Sequence, residues 1–269
     1  MGRINHFAYI SDNLRIQHAT DRNLNTDGVY YQPHTHEHIE LTYILEADGY
    51  HNPEDREYKL RKHDLVITAP FTFHRMKLKN GSVYDRYNLV LNNSFLTNID
   101  VSEILNKINV INCISLTRIT DNFKKLDYYR KNLDDKKFED ISIMLVKEIF
   151  YNLSILNSDF ASTPSYPNPI LTKAIDYINA NLFEIKSISD VSRELFVTDS
   201  YLYEIFKKHL NTSPKKYINA KRLYIAKNEI AMGKKPTEVF SKVGFSDYTS
   251  FYRNYTGLFG YPPSKEGHE

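Results

Sequence analysis

The sequence predicts an α+β chain, with an N-terminal antiparallel β-sandwich or barrel followed by an all-helical C-terminal domain. Three observations carry that reading. As far as about residue 91, apolar residues alternate in short runs separated by Gly, Asn, Asp and Pro, the pattern of strands with one buried face. From about residue 102 the apolar period becomes helical. Between them and the chain end, NSDFASTPSYPNP (157–169) sets three prolines among Ser, Thr and Asn, which no helix can run through. The predicted organisation is therefore a β domain over 1–158, a linker over 159–169 and a helical domain over 170–269.

The elements follow in order. HIELTYILEADGYH (38–51) reads as a strand and a Gly-containing turn. YKLRKHDLVITAPFTFHRMKL (58–78) reads as two strands broken at Pro70, and VYDRYNLVL (83–91) as another. FEDISIMLVKEIFYNLSILN (138–157) places Phe138, Ile141, Leu145, Ile149 and Leu153 on one helical stripe. That helix covers the sheet, pairs with a second subunit, or does both. Beyond residue 169 every segment has helical character.

Composition bounds the function. At 269 residues, 41% hydrophobic and 25% charged, the chain is long enough for one large or two modest globular domains. No apolar run approaches the roughly 18 residues of a membrane helix, and the first residues do not read as a signal peptide. Cys113 is the single cysteine, so no internal disulfide forms. The expected compartment is the cytoplasm, with no membrane partner. From Ser165 onward there are 15 Lys and Arg against 11 Asp and Glu, a surplus compatible with nucleic-acid binding. No Walker loop, dinucleotide fingerprint, zinc-finger spacing or nucleophile elbow occurs, and no catalytic residue is assigned.

The last hundred residues contain a repeat. SISDVSRELFVTDSYLYEIFKKHLNTSP (187–214) and PTEVFSKVGFSDYTSFYRNYTGLFGYPP (236–263) each read as a short helix, a tight turn with an N-cap candidate (Thr198 or Asp247) and a second helix. Leu202 and Phe251, Phe206 and Tyr255, and Leu210 and Phe259 match at an offset of 49 positions. The second turn is one residue longer, which is assigned to Gly244-Phe245. Such a unit is a helix-turn-helix, whose second helix can lie in a DNA major groove. The residues placed to meet DNA are Ser200, Tyr201, Tyr203, Glu204 and Lys207 in the first copy. In the second they are Tyr248, Thr249, Ser250, Tyr252 and Arg253. Arg253 suits bidentate contact with guanine.

AIDYINANL, YLYEIFKKHLNTSPKKYINAKRLYIAK and VGFSDYTSFYRNYTGLFGYPPS resemble the AraC/XylS family of bacterial transcription regulators. The resemblance covers about the last hundred residues. It implies two helix-turn-helix units joined by a long helix, here 214–231, with both recognition helices entering successive major grooves about 34 Å apart. Some positions depart from the family. Phe240 stands where Ala is usual, Pro236 where an aliphatic residue is common, Thr256 and Gly257 where a basic pair is typical, and Glu204 where a basic or amide side chain is frequent. These departures imply fewer phosphate contacts and a weaker second unit. Lys207, Lys208, Lys215, Lys216, Lys221 and Arg222 are candidates for phosphate contact.

In PHTHEHIELTYIL (33–45), His34, His36, His38 and Glu40 alternate and share one face of a strand, while Leu41 and Tyr43 take the other. With His74 downstream of Pro70, this resembles the cupin pattern, although His63 sits where Gly is common. The resemblance implies a cupin-like barrel with flanking helices. His38 is placed at its rim, and His51 and His63 at turns or edges. The effector-binding candidates are His34, His36, Glu40, Tyr43 and His74. Three readings stay open: a metal site at His34, His36, Glu40 and His74, a small-molecule sensor with no cofactor, or barrel residues with neither role. The favoured expectation is a non-enzymatic regulator, an activator or a repressor, that binds double-stranded DNA and responds to a sugar or related metabolite. A homodimer and RNA polymerase are its further candidate partners. The alternative is a metal-dependent cupin enzyme with a helical appendage.

Overall fold

Strands with one apolar and one polar face can cover a core on each side only if the polar face also finds partners, and the first half of this chain solves that problem with two sheets. The computed structural model describes residues 2–24, 33–92, 95–96, 98–156 and 160–266, without the side chains of residues 106 and 107. The chain divides into two units, Met1–Ser165 and Tyr166–Glu269.

In the first unit, β1 (Gly2–Ile10), β2 (Leu14–Arg22), β8 (Tyr84–Leu91), β3 (Ile39–Glu46), β6 (Asp64–Thr68) and β9 (Val110–Asn112) form one sheet in that spatial order. β5 (Tyr58–Lys59), β4 (Gly49–Pro53) and β7 (His74–Leu78) form a second. All the ladders are antiparallel. One face of the large sheet, with Leu41, Tyr43, Leu65, Tyr87 and Leu89, packs on α1 (Val101–Lys107), α2 (Thr117–Asn132) and α3 (Asp135–Ser154). The expected stripe on α3 is the buried one, apart from half-buried Ile141. The opposite face meets the small sheet through Ile44, Val66, Tyr58, Leu78 and Tyr84. Gly49 is required where β4 passes β7, because a Cβ there would lie 2.3 Å from the Lys77 carbonyl oxygen. The β1–β2 hairpin and β9 had no distinct sequence signal.

The segment read as a linker is only partly one. Ala161 bridges Ile111 and Ser165 bridges Glu57, so strand-like pairing ties it to both sheets of the first unit. Its backbone groups find ladder partners that a sequence reading cannot see. The expected boundary at 158/159 lies outside the described residues.

The second unit holds α4 (Pro169–Ala180), α5 (Ile188–Glu194), α6 (Asp199–Leu210), α7 (Pro214–Ala231), α8 (Pro236–Lys242) and α9 (Tyr248–Phe259). Start signals act where the sequence places them. Asn168 caps α4, and Ser213 caps α7 with Pro214 in its first turn. The repeat is real at the level of the helices. α5 and α8 begin 48 positions apart, α6 and α9 49 apart. The Val197 N–H donates to the Ser192 carbonyl as the Phe245 N–H does to Phe240. Gly244 and Phe245 therefore correspond to Phe196 and Val197, and the extra residue is Ser246.

Candidate functional site

α6 starts at Thr198, whose Oγ1 accepts the Tyr201 N–H at 3.2 Å. α9 starts at Asp247, whose Oδ1 accepts the Ser250 N–H at 2.7 Å. Apolar anchors fix each helix from below: Leu202, Ile205 and Phe206 in α6, Phe251 and Tyr255 in α9. The side chains left over are Ser200, Tyr201, Tyr203, Glu204 and Lys207 in α6, all exposed. In α9, Thr249, Tyr252 and Arg253 are exposed, while Tyr248 and Ser250 are half-buried. Tyr248 is drawn down by Phe240, whose ring meets it edge-to-face at 5.6 Å. That contact is how the second unit accommodates Phe240. Tyr203 of α6 and Ser250 of α9 line the same cleft, of about 970 Å³, together with Lys215, Asn219 and Ser246. The two helices thus border one groove in the second unit.

Of the cations expected at phosphates, Lys207, Lys208, Lys215 and Lys216 are exposed. Lys221 is half-buried and donates to Asn179 Oδ1 at 2.8 Å. Arg222 does not belong with them. It is buried, with Nε on the Leu182 carbonyl at 2.8 Å, Nη1 on Gly244 at 2.8 Å and Nη2 on Ile185 at 2.6 Å. The planar fork of a guanidinium suits three carbonyls around it: Leu182 and Ile185 belong to the loop between α4 and α5, and Gly244 to the turn between α8 and α9.

In the first unit, the described residues offer one ligand atom each from His34, His36, Glu40 and His74, all within 4.8 Å of one another. Exposure falls from exposed His34 through half-buried His36 and Glu40 to buried His74, so the cluster is reachable from one side. An antiparallel bridge joins His34 to His74. His36 Nδ1 donates to the His38 carbonyl at 3.0 Å and His74 Nδ1 to that of Thr72 at 2.9 Å. Their Nε2 atoms then face one oxygen of Glu40, at 2.8 and 3.2 Å. Burial pushes the Glu40 carboxyl up, but hydrogen bonds from His36 and His74, and their charge, outweigh it and hold the group well below the usual carboxylate range. A second proton on each ring or a divalent cation among them would satisfy this arrangement. Backbone-anchored imidazoles whose Nε2 atoms converge on a carboxylate fit a metal such as Fe(II), Mn(II) or Zn(II).

Three features here lay outside the sequence reading. Asn88 donates to Glu40 and, at 3.1 Å, to Thr42 Oγ1, so Thr42 and Asn88 extend the polar face. Their pairing across β3 and β8 supplies that contact, and only the i, i+2 spacing of Glu40 and Thr42 hinted at it. His51 is not an edge residue. It is fully buried in β4, 6.1 Å from the His74 ring, and burial pushes its imidazole down to about 3. Tyr43 is not in the cluster. It lies on the opposite face of β3, stacked on Phe123 at 4.5 Å, with its hydroxyl 2.7 Å from His63 Nδ1. Strand alternation puts it in the helix-covered core, and that excludes it from the effector set.

A family described as a helix-turn-helix domain matches residues 191–266, which span α6 to α9. The lactose operon transcription activator of Staphylococcus xylosus is 32% identical over 102 residues, 38% of this chain and 37% of that protein. The Msm operon regulatory protein of Streptococcus mutans is 33% identical over 120 residues, 43% of this chain and 40% of that protein. The chain therefore spans about two fifths of the length of these relatives. ToxT from Vibrio cholerae aligns over 95% of this chain and 97% of its own at 14% identity and a TM-score of 0.39, too remote to bear on function. The capped, apolar-anchored helix pairs and these matches agree: residues 191–266 form a helix-turn-helix domain of the AraC type, similar to those of these transcription regulators.

Proposed function

We propose that this protein is a sequence-specific DNA-binding transcription regulator whose first unit responds to a small polar effector. The observation that carries the reading is the pair of recognition helices. α6 and α9 are anchored from below, carry polar and aromatic side chains above, and border one cleft. Ser200, Tyr201, Tyr203, Glu204 and Lys207, with Tyr248, Thr249, Ser250, Tyr252 and Arg253, form the DNA face. Arg253 and the exposed tyrosines read base edges or thymine methyls, and Lys208, Lys215 and Lys216 meet phosphates.

The effector site is His34, His36, Glu40 and His74, extended by Thr42 and Asn88. A row of imidazole, carboxylate, hydroxyl and amide groups suits the hydroxyls of a sugar or related metabolite. The operon named for the Staphylococcus xylosus relative is consistent with that class. A homodimer would bring two DNA-binding units to paired sites, and the exposed Met144, Tyr151 and Ile155 on α3 and at its end offer an apolar contact for it. Activation would add RNA polymerase as a partner. The mode of action is a change in how the DNA-binding units are presented once effector binds.

The deciding experiment measures mobility shift on the protein's own upstream DNA, with and without metabolites, for the unmodified chain and for His34→Ala with His36→Ala. The double variant should keep its DNA affinity and lose the response. An unchanged response would place the effector elsewhere. The enzyme reading rests on the metal-competent donor set. Stoichiometric metal in that cluster, with no shift on any specific fragment, would favour it.

A further inference from the structure

A second cluster of ligand-type side chains lies away from Glu40, on the helix-covered face of the large sheet. Opposite pairing puts His18 across from Tyr87 and Thr20 across from Asp85, so all four project on one side of β2 and β8. In β1 the register slips between Asn5 and Phe7, which makes His6 the extra residue of a bulge, and bulges re-aim side chains. The His6 ring consequently sits 4.2 Å from that of His18. One ligand atom each from His6, His18 and Asp85 falls within 4.8 Å of the others.

We propose that His6, His18 and Asp85 form a divalent-cation site, of zinc type, that ties the edge strand β1 to the body of its unit. His18 is held as a ligating histidine is held. Its Nδ1 donates to Asp127 Oδ1 at 2.9 Å, its ring stacks on Tyr87 at 4.0 Å, and the Tyr87 hydroxyl donates to the other oxygen of Asp127. A carboxylate behind an imidazole fixes the tautomer and leaves Nε2 as a lone-pair donor. That Nε2 lies 3.4 Å from Asp85 Oδ1, and both atoms are buried with no hydrogen-bond partner. Two lone pairs facing each other in a buried place repel. A cation between them removes the repulsion, and the separation fits. Zinc bonds of about 2.0–2.2 Å to nitrogen and oxygen at a tetrahedral angle put the two ligand atoms about 3.4 Å apart. His6 Nε2 is engaged by Thr20 Oγ1 at 2.8 Å, a hydroxyl that can rotate to release it. Water completes the four ligands. This site is independent of the effector reading, because its residues lie on the other face of the sheet from Glu40.

The test uses the full chain carrying His34→Ala and His36→Ala to silence the first cluster, stripped with a chelator and titrated with Zn2+ by equilibrium dialysis. One Zn2+ per chain should bind, and Co2+ in its place should give the intense visible bands of a tetrahedral site. Adding Asp127→Asn should weaken binding about 10–100-fold, as for loss of an outer partner, and His6→Ala or Asp85→Asn by more. His6 is exposed on an edge strand, so its variant tests the site with little risk to folding. No Zn2+ bound in the silenced background would overturn the proposal, as would binding indifferent to His6→Ala. A doubly protonated His18 seen by NMR in the presence of Zn2+ would do the same. If the silenced chain fails to fold, the unmodified chain and its His6→Ala variant are compared, and the variant must lose one Zn2+.

Discussion

After α5 the backbone turns through Phe196 at φ 54°; after α8 it makes the same turn through Gly244 at φ 88°. Both are left-handed positions, where a side chain costs about 1–2 kcal/mol and Gly costs nothing sterically. Phe196 is 96% exposed, so nothing but the backbone strain opposes it. A Cβ on Gly244 would lie 2.8 Å from the Arg222 guanidinium carbon and 2.8 Å from the Phe183 carbonyl oxygen. The first helices also differ in how they start. The Lys186 and Ser187 N–H groups donate to Asp190, at 3.0 and 2.9 Å, whereas Lys235 offers α8 no side-chain cap and Pro236 stands in its first turn. The helix-turn-helix fixes the path of the chain. What lies outside the turn then decides which residues can follow that path.

The strongest way to break this comparison is Arg222→Met. The substitution removes three charged hydrogen bonds and leaves the carbonyls of Leu182, Ile185 and Gly244 unpaired in a buried place. Each unmet group costs about 1–3 kcal/mol, so the helical unit should lose on the order of 3 kcal/mol or more in denaturant unfolding. Lys at the same position should rescue little, because one ammonium cannot meet three carbonyls spaced around a guanidinium. A loss under about 1 kcal/mol would mean that the α4–α5 loop and the Gly244 turn do not depend on this clamp.

Next in size is the effect on DNA. Arg253→Ala should weaken specific binding by about 1–3 kcal/mol and random duplex by much less. Equal losses on both would reduce Arg253 to a phosphate contact. In the first helix-turn-helix the charge runs the other way. Glu204→Gln should tighten binding to random duplex, since it removes a carboxylate from the proposed DNA face. The pair of variants shows whether the second helix-turn-helix reads bases while the first is limited by its own acid.

Much of this was legible because local rules operate locally. The long helix read over 214–231 begins at Pro214, and Thr198 and Asp247 start α6 and α9, each acting as its residue type dictates. His34, His36 and Glu40 do come together, but not on one strand as read: only Glu40 lies in β3, while His34 and His36 precede it and His34 reaches the cluster through its bridge to His74. His63, standing where the cupin pattern favours Gly, does adopt φ 69°. What sequence could not give is register. Asn88 meets Glu40 across 48 positions because β3 pairs with β8, and His6 meets His18 because of one bulge. Arg222 misled for a related reason. It follows Lys221 in a basic stretch that reads as solvated, and only the folding of distant carbonyls around it makes it interior.

Exchanging the residues at the two turns is a finer test. Gly244→Ala combines a left-handed φ with close contacts to backbone and guanidinium, and should cost about 2 kcal/mol or more. Phe196→Gly relieves strain and buries nothing less, and should stabilise by about 1 kcal/mol, reduced by the greater freedom of Gly in the unfolded chain. Thermal unfolding of the two variants should move in opposite directions. A shift of the same sign in both would mean that the Phe196 side chain makes contacts that offset its backbone strain.

The smallest effect concerns acid. Asp199, at the start of α6, accepts hydrogen bonds from Ser192 and, at 2.8 Å, from Ser189, and these hold its carboxyl below the usual Asp value. A depressed folded value means that the folded state favours the charged form. The contribution is therefore complete above the unfolded value of about 3.9 and disappears as pH falls through the lower folded value. Asp199→Asn should leave a stability profile that is flatter over that acid window, with little change in slope at neutral pH. Because Asp199 joins α5 to α6 across the turn that Phe196 makes, a profile unchanged by the substitution would mean that the turn holds the two helices together without this link.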